Sequence, residues 1–195
     1  PFTDNRNQKY FFRVSDNFDK IDIKLYKILF LNIFFFLVLN LSMNLVISEK
    51  TLTYWEREDF DSLDKAQNVA DLFSIAKTII SRMPKPFGQV CGPIATGGLG
   101  NIEDNLHALN EAIHTLQDQG LIIFDQMPFE MPIQNMKKHL KPGEYFGDVL
   151  DQFYKPIFEM SFVDTMYFMP NWKTSKGAMW EHEEAKRLGI KIIYL

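Results

Sequence analysis

The feature that most constrains the fold of this chain is the alternation of short apolar runs with helical patterns over its second half. Four apolar runs follow one another from residue 87 onward: FGQVC, LIIFD, FVDTMYFM and IKIIYL. Most of the sequence between them carries apolar residues at helical spacing. Strands that alternate with helices form a parallel sheet through right-handed crossovers. The sequence therefore predicts an α/β fold that binds ligands at the carboxyl ends of its strands.

Several helices are predicted around these strands. Residues 61–82 carry one amphipathic stripe and are expected to form a single helix that ends before two prolines. A second helix is expected over residues 101–119, with an asparagine as its cap. Residues 127–150 contain three prolines and are interpreted as irregular. A further helix is expected near residues 147–161, and the last one begins after Ser175.

The first part of the chain has a different composition, because residues 1–42 contain no alanine or glycine. Three interpretations are open. We favour translated upstream sequence ahead of a start at Met43. A membrane anchor over residues 28–47 is about long enough to span a bilayer, and a signal peptide would need a clearer basic end and cleavage site. We divide the chain into residues 1–42 as an extension, 43–86 as a helical segment and 87–195 as the α/β domain.

Charge and cysteine content narrow the functional classes. The formal net charge is −4, so we expect no nucleic-acid polymer as partner. Cys91 is the single cysteine and has no partner for an internal disulfide, which favours a reducing, cytoplasmic compartment. None of the zinc-type Cys/His spacings is present, and no metal site is expected. Cys91 is interpreted as a small core residue rather than a nucleophile.

A glycine-rich loop follows the first strand and reads CGPIATGGLGN. Glycines let the backbone turn sharply and approach a ligand, and the next helix directs free N–H groups toward this loop. A phosphate or a sugar is the kind of ligand that such a loop is suited to bind. The loop has neither the GK[ST] of a P-loop nor the spacing of a dinucleotide-binding loop, so by itself it is a weak signal.

The last helix carries a carboxylate on its packed side. Ala178, Glu181, Ala185 and Leu188 share one stripe, and Ser175 is expected to cap the helix. Buried carboxylates are rare without a partner. Glu181 either forms an ion pair with a lysine or arginine or has a role at the ligand edge. Asp164 likewise either caps the entry of its strand or belongs to a site.

The segments CGPIATGG, FVDTMYFM and PNWKTSKGAMWEHEEAKRLGIKIIY together resemble the nucleoside 2-deoxyribosyltransferase-like superfamily, in its bacterial and phage branch of uncharacterised domains. The resemblance covers roughly residues 87–195. It implies a flavodoxin- or Rossmann-like three-layer sandwich with a parallel sheet of four or five strands, assembled as a homo-oligomer. It also implies a cofactor-free N-glycosidase or deoxyribosyl transferase that acts on a 2′-deoxynucleoside or its 5′-monophosphate.

The resemblance also implies roles for individual residues. Glu181 matches the glutamate that attacks the anomeric carbon, and Asp164 or Asp151 would orient the substrate. The residues expected to hold the substrate are Gly92, Pro93, Gly97, Gly98, Ser175 and Gly177. Pro156 stands where relatives carry an acid on the helix before the third strand. The alternative function is therefore a nucleotide-binding module without turnover, and a third possibility is an interaction protein.

Overall fold

The computed structural model describes residues 46–140 and 146–195. The predictions about an N-terminal extension at 1–42 and about a membrane span over 28–47 rest on residues outside those ranges. Within the described ranges, every helix is too short or too polar to cross a membrane.

The centre of the structure is a parallel sheet of four strands in the order β2-β1-β3-β4. The strands are β1 (Phe87–Cys91), β2 (Ile123–Phe124), β3 (Val163–Phe168) and β4 (Lys191–Tyr194). Val90 pairs with Tyr167 between β1 and β3, and Phe168 pairs with Tyr194 between β3 and β4. The predicted α/β class, parallel sheet and flavodoxin- or Rossmann-like sandwich are confirmed, and this strand order is the one that flavodoxin-like folds begin with.

Helices cover the sheet and precede it. They are α1 (Glu49–Leu52), α2 (Arg57–Leu63), α3 (Val69–Arg82), α4 (Ile102–Asp118), α5 (Met127–Lys137), α6 (Lys155–Glu159) and α7 (Lys176–Leu188). A π-helical turn, Leu150–Tyr154, runs directly into α6, and a 3-10 turn, Trp172–Thr174, precedes α7. The prediction of α4 is confirmed, since Asn101 caps it by accepting from the N–H of Asp104 (2.8 Å).

The prediction of one helix over residues 61–82 is wrong, because the chain forms α2 and α3 with a break between them. Asn68 starts a new helix there. Its side chain accepts from the N–H of Asp71 (3.0 Å), and the Asp71 carboxylate accepts from the N–H of Asn68 (3.3 Å). This capping box satisfies donors that a continuous helix would have bonded internally.

The prediction that residues 127–150 are irregular is wrong for their first part, where α5 forms. Asp125 starts this helix by accepting from the N–H of Met127 (2.9 Å). Pro128 lies in the first turn. Because N–H groups of the first turn make no intrahelical hydrogen bond, the N–H that proline lacks costs the helix nothing there. The helix expected near 147–161 is present as the π-helical turn and α6, with Pro156 in the first turn of α6.

The order of the strands decides which helices share a face. The chain moves from β1 to β2 in one direction along the sheet and then returns past β1 to β3 and β4. Because crossovers between parallel strands are right-handed, this reversal puts α4 on one face and α5, α6 and α7 on the other. The strand ends next to the reversal, those of β1 and β3, are where such sheets leave room for a ligand.

A buried polar network ties α1 to the sheet. Thr51 donates through its hydroxyl to Asp125 (2.8 Å) and accepts from the side-chain amide of Gln117 (2.9 Å). Asp125 is buried, and burial raises its pKa while the Thr51 and Met127 hydrogen bonds oppose that rise. The network therefore anchors the N-terminal helix to the residue that starts α5.

We predict that Thr51→Val destabilises the protein by about 1–3 kcal/mol, because the buried Asp125 carboxyl loses a hydrogen bond and keeps its desolvation penalty. Thr53→Val is the matched control, since Thr53 is exposed and bonds only to its own helix. Urea unfolding of both variants gives the measurement. Equal unfolding midpoints for the two variants would contradict the anchoring role of this network.

Candidate functional site

A cavity of about 440 Å³ opens at the carboxyl edge of the sheet, between the segments that follow β1, β2 and β3. That volume is typical of small-molecule sites, which run to roughly 300–1,000 Å³. The polar residues and glycines that line it are Gly92, Thr96, Gln126, Glu130, Lys137, Tyr154, Ser175, Gly177 and Glu181. The strand order predicts a ligand site at this edge, and the structure has a cavity there.

The wall of the cavity is built by contact between the glycine loop, residues 92–100, and the loop that leads into α7. The N–H of Gly98 donates to the hydroxyl of Thr174 (2.8 Å), and the N–H of Lys176 donates to that of Thr96 (3.3 Å). Gly97 has a φ of +70°, and a Cβ there would lie 2.2 Å from the Thr174 hydroxyl oxygen. The two loops meet so closely that Gly97 cannot carry a side chain.

Asn105 of α4 holds the glycine loop from behind. Its side-chain oxygen accepts from the N–H of Leu99 (2.7 Å), and its side-chain amide donates to the carbonyls of Ile94 (2.9 Å) and Gly97 (3.1 Å). A Cβ at Gly98, whose φ is +65°, would collide with the same Asn105 oxygen at 2.2 Å. Gly97 and Gly98 therefore shape the loop rather than line the cavity.

Gly92 has a different role, because it does line the cavity. It follows β1 directly, and a Cβ there would lie 2.7 Å from the sulfur of Met169. Pro93 is buried beside it and is not part of the lining. Of the glycine-loop residues predicted to bind substrate, Gly92 alone borders the cavity.

The first turn of α7 forms the opposite wall. Ser175 caps the helix as predicted, since its hydroxyl accepts from the N–H of Ala178 (3.3 Å). Ser175, Gly177 and Glu181 all line the cavity. The small residues at the start of the helix leave room for a ligand, and Glu181 lies one turn further in.

Glu181 is a desolvated carboxyl with little to compensate its burial. It is 6% exposed and, within the described residues, forms no ion pair. Its pKa is raised to about 8, chiefly by burial; the hydrogen bond with the Cys91 thiol opposes this rise and the charge of Glu130 adds to it. An ion pair with a lysine or arginine therefore does not explain why a glutamate lies on this packed stripe.

Cys91 lies at the end of β1, in the core and beside the carboxyl of Glu181. Burial raises the pKa of the Cys91 thiol well above its usual value, and the Glu181 charge adds to the rise. The thiol therefore stays protonated, which agrees with its interpretation as a core residue. A protonated thiol at this place can donate to the carboxylate form of Glu181.

Glu130 is the acidic residue of the site that the sequence analysis missed, and Thr96, Gln126, Lys137 and Tyr154 were not predicted either. It lies in the first turn of α5, is 2% exposed and lines the same cavity as Glu181. Burial raises the pKa of Glu130, while Lys137 and Gln134 of the same helix oppose that rise. The signal that was available is the pair Phe129 and Ile133, whose spacing of four residues predicts a packed helix face next to Glu130.

The two aspartates predicted to orient the substrate do not line the cavity. Asp164 is exposed at the second position of β3, at the amino end of the strand, roughly 13 Å along the chain from Phe168 at the other end. Asp151 is exposed on the π-helical turn, although Leu150 and Tyr154 of that turn line the cavity. The structure brings neither aspartate to Glu181.

Within the described residues, the histidines, cysteine and acids do not form a group of three or more that could hold a metal ion. The polar groups that face the cavity are instead carboxyls, hydroxyls, an amide and the ammonium of Lys137. This set suits the binding of a polar organic molecule by hydrogen bonds and charge.

Comparison with known proteins places the cavity within a recognised family region. The family model described as "Domain of unknown function (DUF4406)" matches residues 90–194. The matched region begins within β1 and ends at the last residue of β4, so it contains every residue of the cavity lining. No curated protein and no solved structure matches the chain.

We predict that Glu181→Gln removes a pH dependence from stability. The folded-state pKa of Glu181, about 8, lies above its ordinary value of 4.5, so the folded protein binds the extra proton. Wild-type stability therefore falls as pH rises from about 4.5 to 8. Because glutamine resembles the protonated acid, the variant should lack this part of the decline.

The measurement is the urea midpoint of each protein at pH values from 5 to 9. Glu183→Gln is the control, because Glu183 is exposed on the same helix and Lys186 lowers its pKa. Its curve should parallel that of the wild type over this range. Parallel curves for the wild type and Glu181→Gln would show that Glu181 titrates as an ordinary carboxyl.

Proposed function

This chain belongs to the family described as domain of unknown function DUF4406, and we propose that it is an N-glycosidase or deoxyribosyl transferase. Its substrate is a 2′-deoxynucleoside or the corresponding 5′-monophosphate, and Glu181 is the attacking carboxylate. The observation that carries the proposal is the burial of Glu181 in the cavity at the sheet edge, without an ion pair among the described residues. The likeness of the segment around it to nucleoside 2-deoxyribosyltransferases supports the same role.

Cleavage of an N-glycosidic bond needs a nucleophile that stabilises positive charge on the sugar. A carboxylate can attack the anomeric carbon as the base leaves, which gives a glycosyl ester that water or a second base then resolves. Because the Glu181 side chain is buried, its carboxylate would interact strongly with the oxocarbenium-like transition state. Glu181 must give up its proton before it attacks, since its pKa of about 8 leaves it largely protonated at neutral pH.

The first turn of α7 is suited to hold the 5′ end of the substrate. Ser175 and Gly177 line the cavity there, and the first N–H groups of a helix attract anions. Lys137 on the facing helix also lines the cavity and adds a positive charge. These groups support a monophosphate ester as substrate, and they also accommodate a free 5′-hydroxyl.

A nucleotide-binding module without turnover is the second candidate. Pro156 takes the place of the acid that relatives carry, and Asp164 and Asp151 lie outside the cavity lining. For either function the resemblance supports a homo-oligomer that binds a small nucleoside or nucleotide. The net charge of −4 argues against a nucleic-acid polymer as partner, and the single cysteine favours a cytoplasmic location.

We predict that the purified full-length chain releases free base from at least one deoxynucleoside or deoxynucleoside 5′-monophosphate, measured by chromatography. Glu181→Ala and Glu181→Gln should lower the rate by about a thousand-fold or more, because the nucleophile is removed. Glu183→Gln is the control and should retain the wild-type rate, since Glu183 is exposed on the same helix.

Each alternative has its own outcome in this assay. Binding of a nucleotide in calorimetry without release of base would support the binding module. Base release that survives in Glu181→Gln would overturn the role of Glu181 as nucleophile. Neither binding nor release with any of these compounds would overturn both candidate functions.

A further inference from the structure

We infer that Glu130 is the proton-transfer partner of Glu181, protonating the departing base and deprotonating the incoming water or acceptor base. This inference rests on the function proposed above and assigns a second catalytic carboxyl to the same cavity. It also answers the problem raised by Pro156, because the acid comes from α5, after β2, rather than from the helix before β3.

The first observation is where the two carboxyls lie. Glu130 approaches the cavity from the first turn of α5 and Glu181 from the second turn of α7. They are the two acidic side chains among the described residues that line the cavity. Their charges interact, since the presence of Glu130 raises the pKa of Glu181.

The second observation is that stability does not explain a carboxyl at residue 130. Glu130 is 2% exposed and forms no ion pair with any described residue. Among the described residues, its hydrogen bond comes from the side chain of Gln134 in the next turn, at 3.4 Å. The neighbours Phe129 and Ile133 already anchor α5 in the core. A glutamine or leucine would be less costly to bury. We therefore attribute the carboxyl at residue 130 to the chemistry of the cavity rather than to stability.

The third observation is the asymmetry between the two carboxyls. The charged or titratable groups that face the pair are Cys91 on β1, Lys137 on α5 and Tyr154 on the π-helical turn. Lys137 opposes the rise in the pKa of Glu130, whereas the groups that act on the pKa of Glu181 among the described residues are the Cys91 thiol and the Glu130 carboxyl. Lys137 therefore favours ionisation of Glu130 over that of Glu181, and Glu130 is the carboxyl that can accept the proton of Glu181.

The reaction then balances with the groups present. The proton of Glu181 passes to Glu130, and the Glu181 carboxylate forms a bond to C1′ while the C1′–N bond breaks. The electron pair of that bond stays on the base nitrogen, which takes the proton from Glu130. In the second half, Glu130 takes a proton from the water or acceptor base that attacks C1′, and the ester electrons return to Glu181.

The test compares two leaving groups in the wild type, Glu130→Gln and Glu181→Gln. One substrate is the deoxynucleoside or deoxynucleotide that the wild type cleaves, and the other is 4-nitrophenyl 2-deoxyriboside, whose leaving group needs no proton. Glu130→Gln should release natural base about 100-fold more slowly. At pH 9, above the Glu181 pKa of about 8, Glu181 is ionised without a proton acceptor. The first turnover of the nitrophenyl substrate by Glu130→Gln should there stay within about threefold of the wild-type rate, while Glu181→Gln loses both reactions.

After that first turnover, Glu130→Gln should stall with the sugar attached to Glu181, because no carboxylate remains to activate the acceptor. Intact-protein mass spectrometry detects this ester. The basic limb of the pH profile of kcat/KM should also disappear in Glu130→Gln. A merely structural role for Glu130 would slow both substrates equally and leave no ester. If Glu130→Gln fails to fold, Glu130→Asp takes its place in the test. The aspartate keeps a carboxyl, so this variant is expected to retain part of the base release.

The outcomes separate this inference from the function on which it rests. Equal loss on both substrates, or natural-base release at the wild-type rate in Glu130→Gln, would overturn the role of Glu130 while leaving Glu181 as nucleophile. Release of neither leaving group by the wild type would overturn the proposed function, and the role of Glu130 with it.

Discussion

The contact between the glycine loop and the loop before α7 is the constraint on which the cavity depends. The Gly98 N–H and the Thr174 hydroxyl join the two loops at 2.8 Å, and the missing side chain of Gly97 lets their backbones come that close. Asn105 holds the glycine loop against α4 from the other side. The first turn of α7 is thereby fixed opposite α5, and the two buried glutamates face one space.

In that space two carboxyl groups are removed from water, and no ion pair with a described residue neutralises their charge. Glu181 and Glu130 are both buried and, within the described residues, lack an ion pair. Each carboxyl opposes ionisation of the other, so the cavity favours a state with fewer negative charges than two. Such an arrangement reduces stability as pH rises, and it is retained where a site needs a carboxyl that exchanges a proton near neutral pH.

Particular residues show how much of the fold and of the site the sequence predicts. Ser175 as a helix cap, Glu181 on a packed stripe and the parallel sheet all follow from local periodicity and capping rules, and the structure contains each of them. The prolines around α5 predict irregular chain, but Pro128 lies in a first turn, where proline is compatible with a helix. That error hid Glu130. Asp164 is a polar residue in an apolar strand and therefore a site candidate by sequence, but its position at the amino end of β3 keeps it away from the site.

The sequence by itself determined the strand-and-helix alternation, the turn geometry that needs glycine and the carboxyl of α7, because each depends on neighbours within a few residues. The tertiary structure alone decided which side chains share the cavity. Glu130 and Glu181 meet because the crossovers after β2 and β3 bring the first turns of α5 and α7 to one edge. The same packing gave Gly97 and Gly98 a role in joining loops rather than in lining the site. Proximity across a sheet edge arises from topology and excluded volume, and neither is visible in local periodicity.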